Sequence, residues 1–173
     1  MPGRVLAALA VAGALVAVAF VAKGKGGAAA PGAPKTKIEL AGVLDDMNGG
    51  KIDLAKYAGK PLVINLWATW CGPCKLETPQ LVTLFEKFKA QGVSIIGVSV
   101  DDTPEEIRAF AADFKVTYPM LVGAGHEDLL QKLGYEDALP FSILIAKDGT
   151  IAEQITGIET TAGWESLIGD LIK

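Results

Sequence analysis

The two cysteines of this chain stand two residues apart, in Trp70-Cys71-Gly72-Pro73-Cys74, at the seam between a strand-like and a helix-like run. Upstream, Pro61-Leu62-Val63-Ile64-Asn65-Leu66-Trp67 reads as a buried strand. Downstream, from Lys75 to Ala90, Leu81, Val82, Leu84, Phe85 and Phe88 recur at helical spacing. The seam therefore specifies a strand–turn–helix unit with Cys71 at the helix N-terminus, where backbone N–H groups and the macrodipole favour a thiolate over a thiol. Cys74, one turn later, lies within reach to close a small disulfide ring. That arrangement suits reversible two-electron thiol–disulfide exchange.

The rest of the chain continues the alternation. Leu40 to Leu44, the Asn48-Gly49-Gly50 turn and Lys51-Ile52-Asp53 predict a short hairpin, and Leu54 to Tyr57 a helical turn before Gly59. Val93 to Val100 is rich in β-branched residues and reads as a central strand. Thr103-Pro104-Glu105-Glu106 carries a capping box with proline at the first helical position, opening a helix to about Lys115 that buries Ile107, Phe110, Ala111 and Phe114. Tyr118 to Val122 predicts a short strand and Glu127 to Leu133 a helix stopping at Gly134. Phe141 to Ala146 and Ile151 to Thr156 pair across an Asp148-Gly149 turn, and a last helix puts Trp164, Leu167, Ile168, Leu171 and Ile172 on one face. Strands alternating with helices, then a terminal hairpin and helix, predict an α/β fold: a central mixed sheet flanked by helices.

Two segments precede this domain. Val5 to Ala22 is 18 residues without a charge or a side-chain hydrogen-bonding group, preceded by Arg4 and followed by Lys23 and Lys25. It reads as an uncleaved N-terminal membrane anchor over residues 1–22; a cleaved signal peptide, with Ala28-Ala29-Ala30 as the small-residue site, is the rival. Both export the remainder, and Arg4 in a short tail favours the domain lying outside the cytoplasm. Residues 23–37, rich in Gly, Ala and Pro, read as a flexible linker with a reach of roughly 20 Å, leaving 38–173 as the domain. Residues 1–37 hold five Lys/Arg and no acids, whereas 38–173 hold 11 Lys/Arg against 20 Asp/Glu, a net of −9. An acidic domain without a basic stripe argues against nucleic-acid binding.

The stretch Asn65-Leu66-Trp67-Ala68-Thr69-Trp70-Cys71-Gly72-Pro73-Cys74-Lys75-Leu76-Glu77-Thr78-Pro79 resembles the thioredoxin superfamily. More narrowly, the chain resembles the membrane-tethered TlpA/ResA-like thiol–disulfide oxidoreductases. The segment between Val100 and the terminal hairpin matches the central insertion of that branch. The resemblance implies that Cys71 is the attacking cysteine and Cys74 the resolving one. It implies that Pro79 kinks the active-site helix and that Pro140 is the cis proline facing the disulfide. Glu77 matches an acidic residue seen after the second cysteine in this branch. Asn65 stands where many thioredoxins carry a buried Asp that moves protons, so we expect Glu77 to take part of that role from a partly buried site with a raised pKa. Trp70, Gly72, Pro73 and the backbone at Leu139 beside Pro140 are the expected substrate-binding surface.

The bland readings are a structural disulfide, a zinc site and a Cu(I) site. A four-residue loop stabilises little by chain entropy. Zinc needs about four ligands where this chain offers two Cys and one His. Cu(I) capture by two thiolates is more credible because soft sulfur suits it. His126, Lys75, Trp67 and Trp164 are read as capping, solvated or packing residues outside the mechanism. The expected function is thus an enzyme of the bacterial cell envelope reducing disulfides of exported proteins. By resemblance, apocytochrome c or a copper-site assembly protein would be a client and a membrane thiol system the electron donor. No cofactor beyond the Cys71–Cys74 pair is expected, and the domain is read as a monomer. A Cu(I) carrier and a peroxidase of the same fold are the alternatives, the second disfavoured by the lack of a peroxidatic cysteine outside the pair.

Overall fold

Strand β3 (Leu62–Trp67) is buried at every position, so both faces of the sheet around it must be covered. The computed structural model describes residues 36–173, and its central sheet has five strands in the order β5-β4-β3-β6-β7. Strands β3, β4 (Ser94–Ser99) and β5 (Met120–Val122) run parallel; β6 (Phe141–Ile145) runs antiparallel to β3 and pairs with antiparallel β7 (Ile151–Thr156) in a terminal hairpin. A separate two-stranded hairpin joins β1 (Val43–Asp45) to β2 (Lys51–Asp53), and Asp46 bridges it to Leu121 of β5. The mixed α/β sheet expected from the alternation is therefore present.

The helices are α1 (Gly72–Phe88), α2 (Pro104–Asp113), α3 (Glu127–Lys132) and α4 (Thr161–Leu171). The predicted capping box at Thr103 and Glu106 opens α2. Helices α1 and α4 pack on each other and on β4 and β6, while α2 packs on β5. Trp67 and Phe110 join β3 to α2 with ring centroids 4.2 Å apart, and Phe114 continues the stack at 4.3 Å. Strand β4 approaches its neighbours so closely at Gly97 that a Cβ there would lie 2.6 Å from Met120 Sδ and 3.1 Å from Trp67 Nε1. Glycine is the residue that permits that approach.

Some boundaries differ from expectation, with α2 ending at Asp113 instead of about Lys115 and β5 starting at Met120 instead of Tyr118. Helix α1 begins at Gly72, directly after Cys71 as expected, because proline is tolerated in the first turn and Cys71 caps it. Strand β1 begins at Val43, because Gly42 has φ +133° and breaks the extended run from Leu40. Thr36 and Lys37, read as the end of the linker, lie against the terminal hairpin: Lys37 bridges to Thr150 and the Ile151 N–H donates to the Thr36 carbonyl. The anchor over residues 1–22 and most of the linker lie outside the described residues. Among the described residues, no helix is long and apolar enough to cross a membrane.

Candidate active site

Parallel β3 and β4 end on the same side of the sheet, and the loops leaving them build the site, as expected for the carboxyl ends of parallel strands. Cys71 and Cys74 form a disulfide with Cα atoms 5.3 Å apart. Cys71 is the N-cap of α1, and its Sγ accepts the Cys74 N–H at 3.2 Å. That contact satisfies one of the free donors of the first helical turn. A thiolate at the same atom gains both the donor and the positive end of the helix dipole. Both sulfur-bearing residues are buried, while Gly72 and Pro73 between them are exposed. One turn on, the Thr78 hydroxyl donates to the Cys74 carbonyl, and Pro79 lies inside the helix.

The residues before Cys71 are held by two consecutive aspartates after β4. Asp102 is buried and accepts the Thr69 N–H at 2.8 Å, the Thr69 hydroxyl at 2.5 Å and the Ser99 hydroxyl at 2.6 Å. Asp101 accepts the Trp70 indole N–H at 3.0 Å, leaving the ring 64% exposed beside the disulfide. Leu139-Pro140 is a cis peptide. The β3–β6 register runs from Leu62↔Ile145 to Leu66↔Phe141, which sets Pro140 at the end of β3, on the disulfide side of the sheet. The Pro140 carbonyl accepts the Gly157 N–H at 2.8 Å. Gly157, at φ +92°, turns the chain there and leaves Ile158 exposed. With Trp70 and the exposed Leu76, Ile158 makes three large apolar side chains open to solvent at or near this end. A groove of about 440 Å³ opens beside Trp70, lined by Val100, Leu130 and Tyr135 and by the carboxylates of Asp101, Glu127 and Asp137.

Glu77 lies beneath the disulfide end of α1, one turn from Cys74 on the same buried face. It is 1% exposed. Its Oε2 accepts the Asn65 amide at 3.0 Å, and the same amide nitrogen donates to Ser142 Oγ at 2.9 Å. Burial pushes the Glu77 pKa up to about 7, against the opposing pull of the Glu159 backbone N–H, Asn65 and Trp164. A carboxyl titrating there can exchange a proton near neutral pH. Asn65 thus lies beside the acidic group instead of replacing it, joining β3, α1 and β6. Among the described residues, no cluster of three or more His, Cys, Asp and Glu side chains is placed to hold a metal ion. His126 starts α3 without a side-chain capping bond, and Lys75 is exposed.

The structure brings Cys71, Cys74, Trp70, Gly72 and Pro73 together in one turn, with Glu77 behind it and Leu139-Pro140 at the same sheet end. Sequence reasoning missed Asp101, Asp102 and Ile158. The available signal was the acidic pair immediately after the apolar run Val93–Val100, since carboxylates at the carboxyl end of a central strand fall at the site edge.

The chain is similar in sequence to known thiol-disulfide oxidoreductases and in fold to a solved structure. The AhpC/TSA family profile matches residues 31–154. The thiol-disulfide oxidoreductase ResA of Bacillus thuringiensis subsp. konkukian (strain 97-27) is 36% identical over 118 residues, covering 68% of this chain and 67% of its own. The thiol-disulfide oxidoreductase ResA of Bacillus subtilis (strain 168) is 34% identical over 129 residues, covering 74% and 68%. The fold is shared with the crystal structure of a thiol:disulfide interchange protein, a thioredoxin family protein, from Chlorobium tepidum TLS. Its TM-score is 0.73 at 20% identity, covering 82% of this chain and 99% of the other.

Proposed function

From the chain's membership of the AhpC/TSA family and its activity as a thiol–disulfide oxidoreductase, we propose that it works in the reducing direction on disulfides of exported proteins at the cell envelope. The observation that carries the chemistry is the Cys71–Cys74 disulfide capping α1 beside an exposed Trp70. Support for the envelope is the 18-residue apolar run and the Gly/Pro-rich linker. Support for the reducing direction is the Gly-Pro pair between the cysteines, which resembles reducing thioredoxins.

In the reduced protein the Cys71 thiolate attacks a client disulfide. One client sulfur bonds to Cys71 Sγ; the other leaves as a thiolate and takes a proton from solvent. Cys74 then gives up its proton, for which Glu77 is the proposed acceptor, and attacks Cys71 Sγ. The mixed disulfide breaks, the second client sulfur leaves and is protonated, and the Cys71–Cys74 disulfide forms. Two electrons have passed to the client, and a thiol donor held at the membrane returns the protein to the dithiol. Trp70 and Ile158 offer apolar contact, and the backbone at Leu139-Pro140 pairs with an extended client segment. An apocytochrome c or a copper-site assembly protein is the class of client proposed.

Reduction of insulin disulfides with a thiol donor tests the reading. The protein is expected to turn over many equivalents of insulin. Stoichiometric, tight Cu(I) binding with no turnover would replace the enzyme by a copper carrier.

A further inference from the structure

Among the described residues, four buried side-chain polar atoms have no hydrogen-bond partner, and two of them are a complementary pair: the acceptor Glu77 Oε1 and the donor Trp164 Nε1. They belong to helices that pack on each other. Thr161 Oγ1 donates to Gln80 Oε1 at 2.9 Å, joining the turn of α1 after Glu77 to the turn of α4 before Trp164. Trp164 is fully buried, so bulk water reaches neither atom. The indole is near enough to the carboxyl to counter the effect of its burial, yet it stops short of hydrogen-bond geometry.

A buried carboxylate needs donors on both oxygens, whereas a neutral carboxyl needs fewer. Asn65 serves Oε2. The remaining donors close to the carboxyl are the Glu159 backbone N–H and the Trp164 indole. The backbone is fixed by the turn into α4; the indole is a side chain with nothing else to bond. Resting on the reading of Glu77 as proton acceptor for Cys74, we propose that the Trp164 indole N–H closes on Glu77 Oε1 when Glu77 ionises, and that this contact sets the pH at which Glu77 takes the proton. Trp164 acts through Glu77 and not on the sulfurs, so it is a positioning residue. The other groups facing Glu77 are few. The Glu159 charge, before α4, opposes its ionisation, and Tyr118, ahead of β5, is held as a neutral phenol by burial and by the Glu77 charge. Asn65 and Ser142 are neutral, and Cys74 is one turn away on α1.

The test is indole NMR on the reduced full-length protein, labelled at tryptophan, from pH 5 to pH 9. The Trp164 Nε1–H resonance is expected to move downfield with the midpoint of the Glu77 carboxyl carbon, while Trp67 and Trp70 stay level as internal references. In Trp164→Phe, which keeps an aromatic ring and removes the donor, the Glu77 midpoint is expected to rise by about one pH unit. The pH profile of mixed-disulfide resolution by Cys74 should rise with it. Glu77→Gln separates the two ideas. An unchanged resolution profile in that variant removes the Glu77 reading itself. A changed profile in Glu77→Gln, with a flat Trp164 resonance in the wild type, overturns the role of Trp164. The wild-type measurement decides the point even if Trp164→Phe folds poorly.

Discussion

Asp102 and Thr69 are joined twice: the buried carboxylate accepts both the backbone N–H and the hydroxyl of Thr69, at 2.8 and 2.5 Å. Thr69 is two residues before Cys71, the sulfur proposed to attack, so the loop that presents Cys71 is held from the end of β4 and not from its own strand. Asp102→Ala strands the Thr69 N–H, the Thr69 hydroxyl and the Ser99 hydroxyl in a largely dry site. We expect a loss of about 2–4 kcal/mol in urea unfolding of the oxidised protein, together with slower insulin reduction. Stability within about 0.5 kcal/mol of the wild type would show that the clamp does not hold the loop.

Glu77 makes stability depend on pH. Its pKa is pushed up by burial to about 7 in the folded protein from an ordinary value of 4.5. Between those two pH values the folded state keeps a proton that the unfolded chain has lost. Stability therefore falls as pH rises through this window; the cost is absent below it and complete above it, at about 3 kcal/mol. Glu77→Gln removes the dependence. Relative to the wild type, its unfolding free energy should gain about 3 kcal/mol on going from pH 4 to pH 8. A constant difference between the two proteins across that range would contradict a Glu77 that is neutral when buried.

The two cysteines should fail differently. With Cys74→Ser, attack by Cys71 proceeds but nothing resolves the product, so a disulfide-bonded peptide should remain attached and be visible as added mass on the intact protein. With Cys71→Ser, Cys74, which lies inside the first turn and lacks the N-cap position of Cys71, should give little or no adduct under the same conditions. Adduct on Cys74 at the wild-type rate would reverse the two roles.

Trp70 is exposed and tethered to Asp101. Asp101→Ala frees the ring without opening the core, so unfolding stability should change by less than about 0.5 kcal/mol. The KM for a disulfide peptide should rise while kcat holds, because an apolar platform that turns freely loses contact entropy on binding. A kcat loss at constant KM would place Asp101 in the chemistry.

Long, strongly periodic elements were legible from residue type alone. The run from Leu62 to Trp67, the helix carrying Leu81, Leu84 and Phe88, and the Thr103–Glu106 capping box all stand where spacing and cap chemistry put them. The site was legible where it is local in sequence, since two cysteines flanking Gly-Pro at a helix start need no partner from elsewhere. It was hidden where it depends on residues far apart. Asp102 meets Thr69 across 33 positions and Asn65 meets Ser142 across 77, and neither pairing leaves a periodicity. Asn65 shows the limit well. Its departure from an acidic residue was visible in the chain, but its position between Glu77 and Ser142 follows only from the β3–β6 pairing and the packing of α1.

The reduction potential of the Cys71–Cys74 couple, by equilibration of the protein with thiol buffers, tests the proposed direction most directly. The expected value is near the thioredoxin level, about −270 mV, at which the dithiol passes electrons to a client and needs a dedicated donor for its recovery. A value well above about −180 mV would make the couple an oxidant or isomerase and contradict reduction of exported clients.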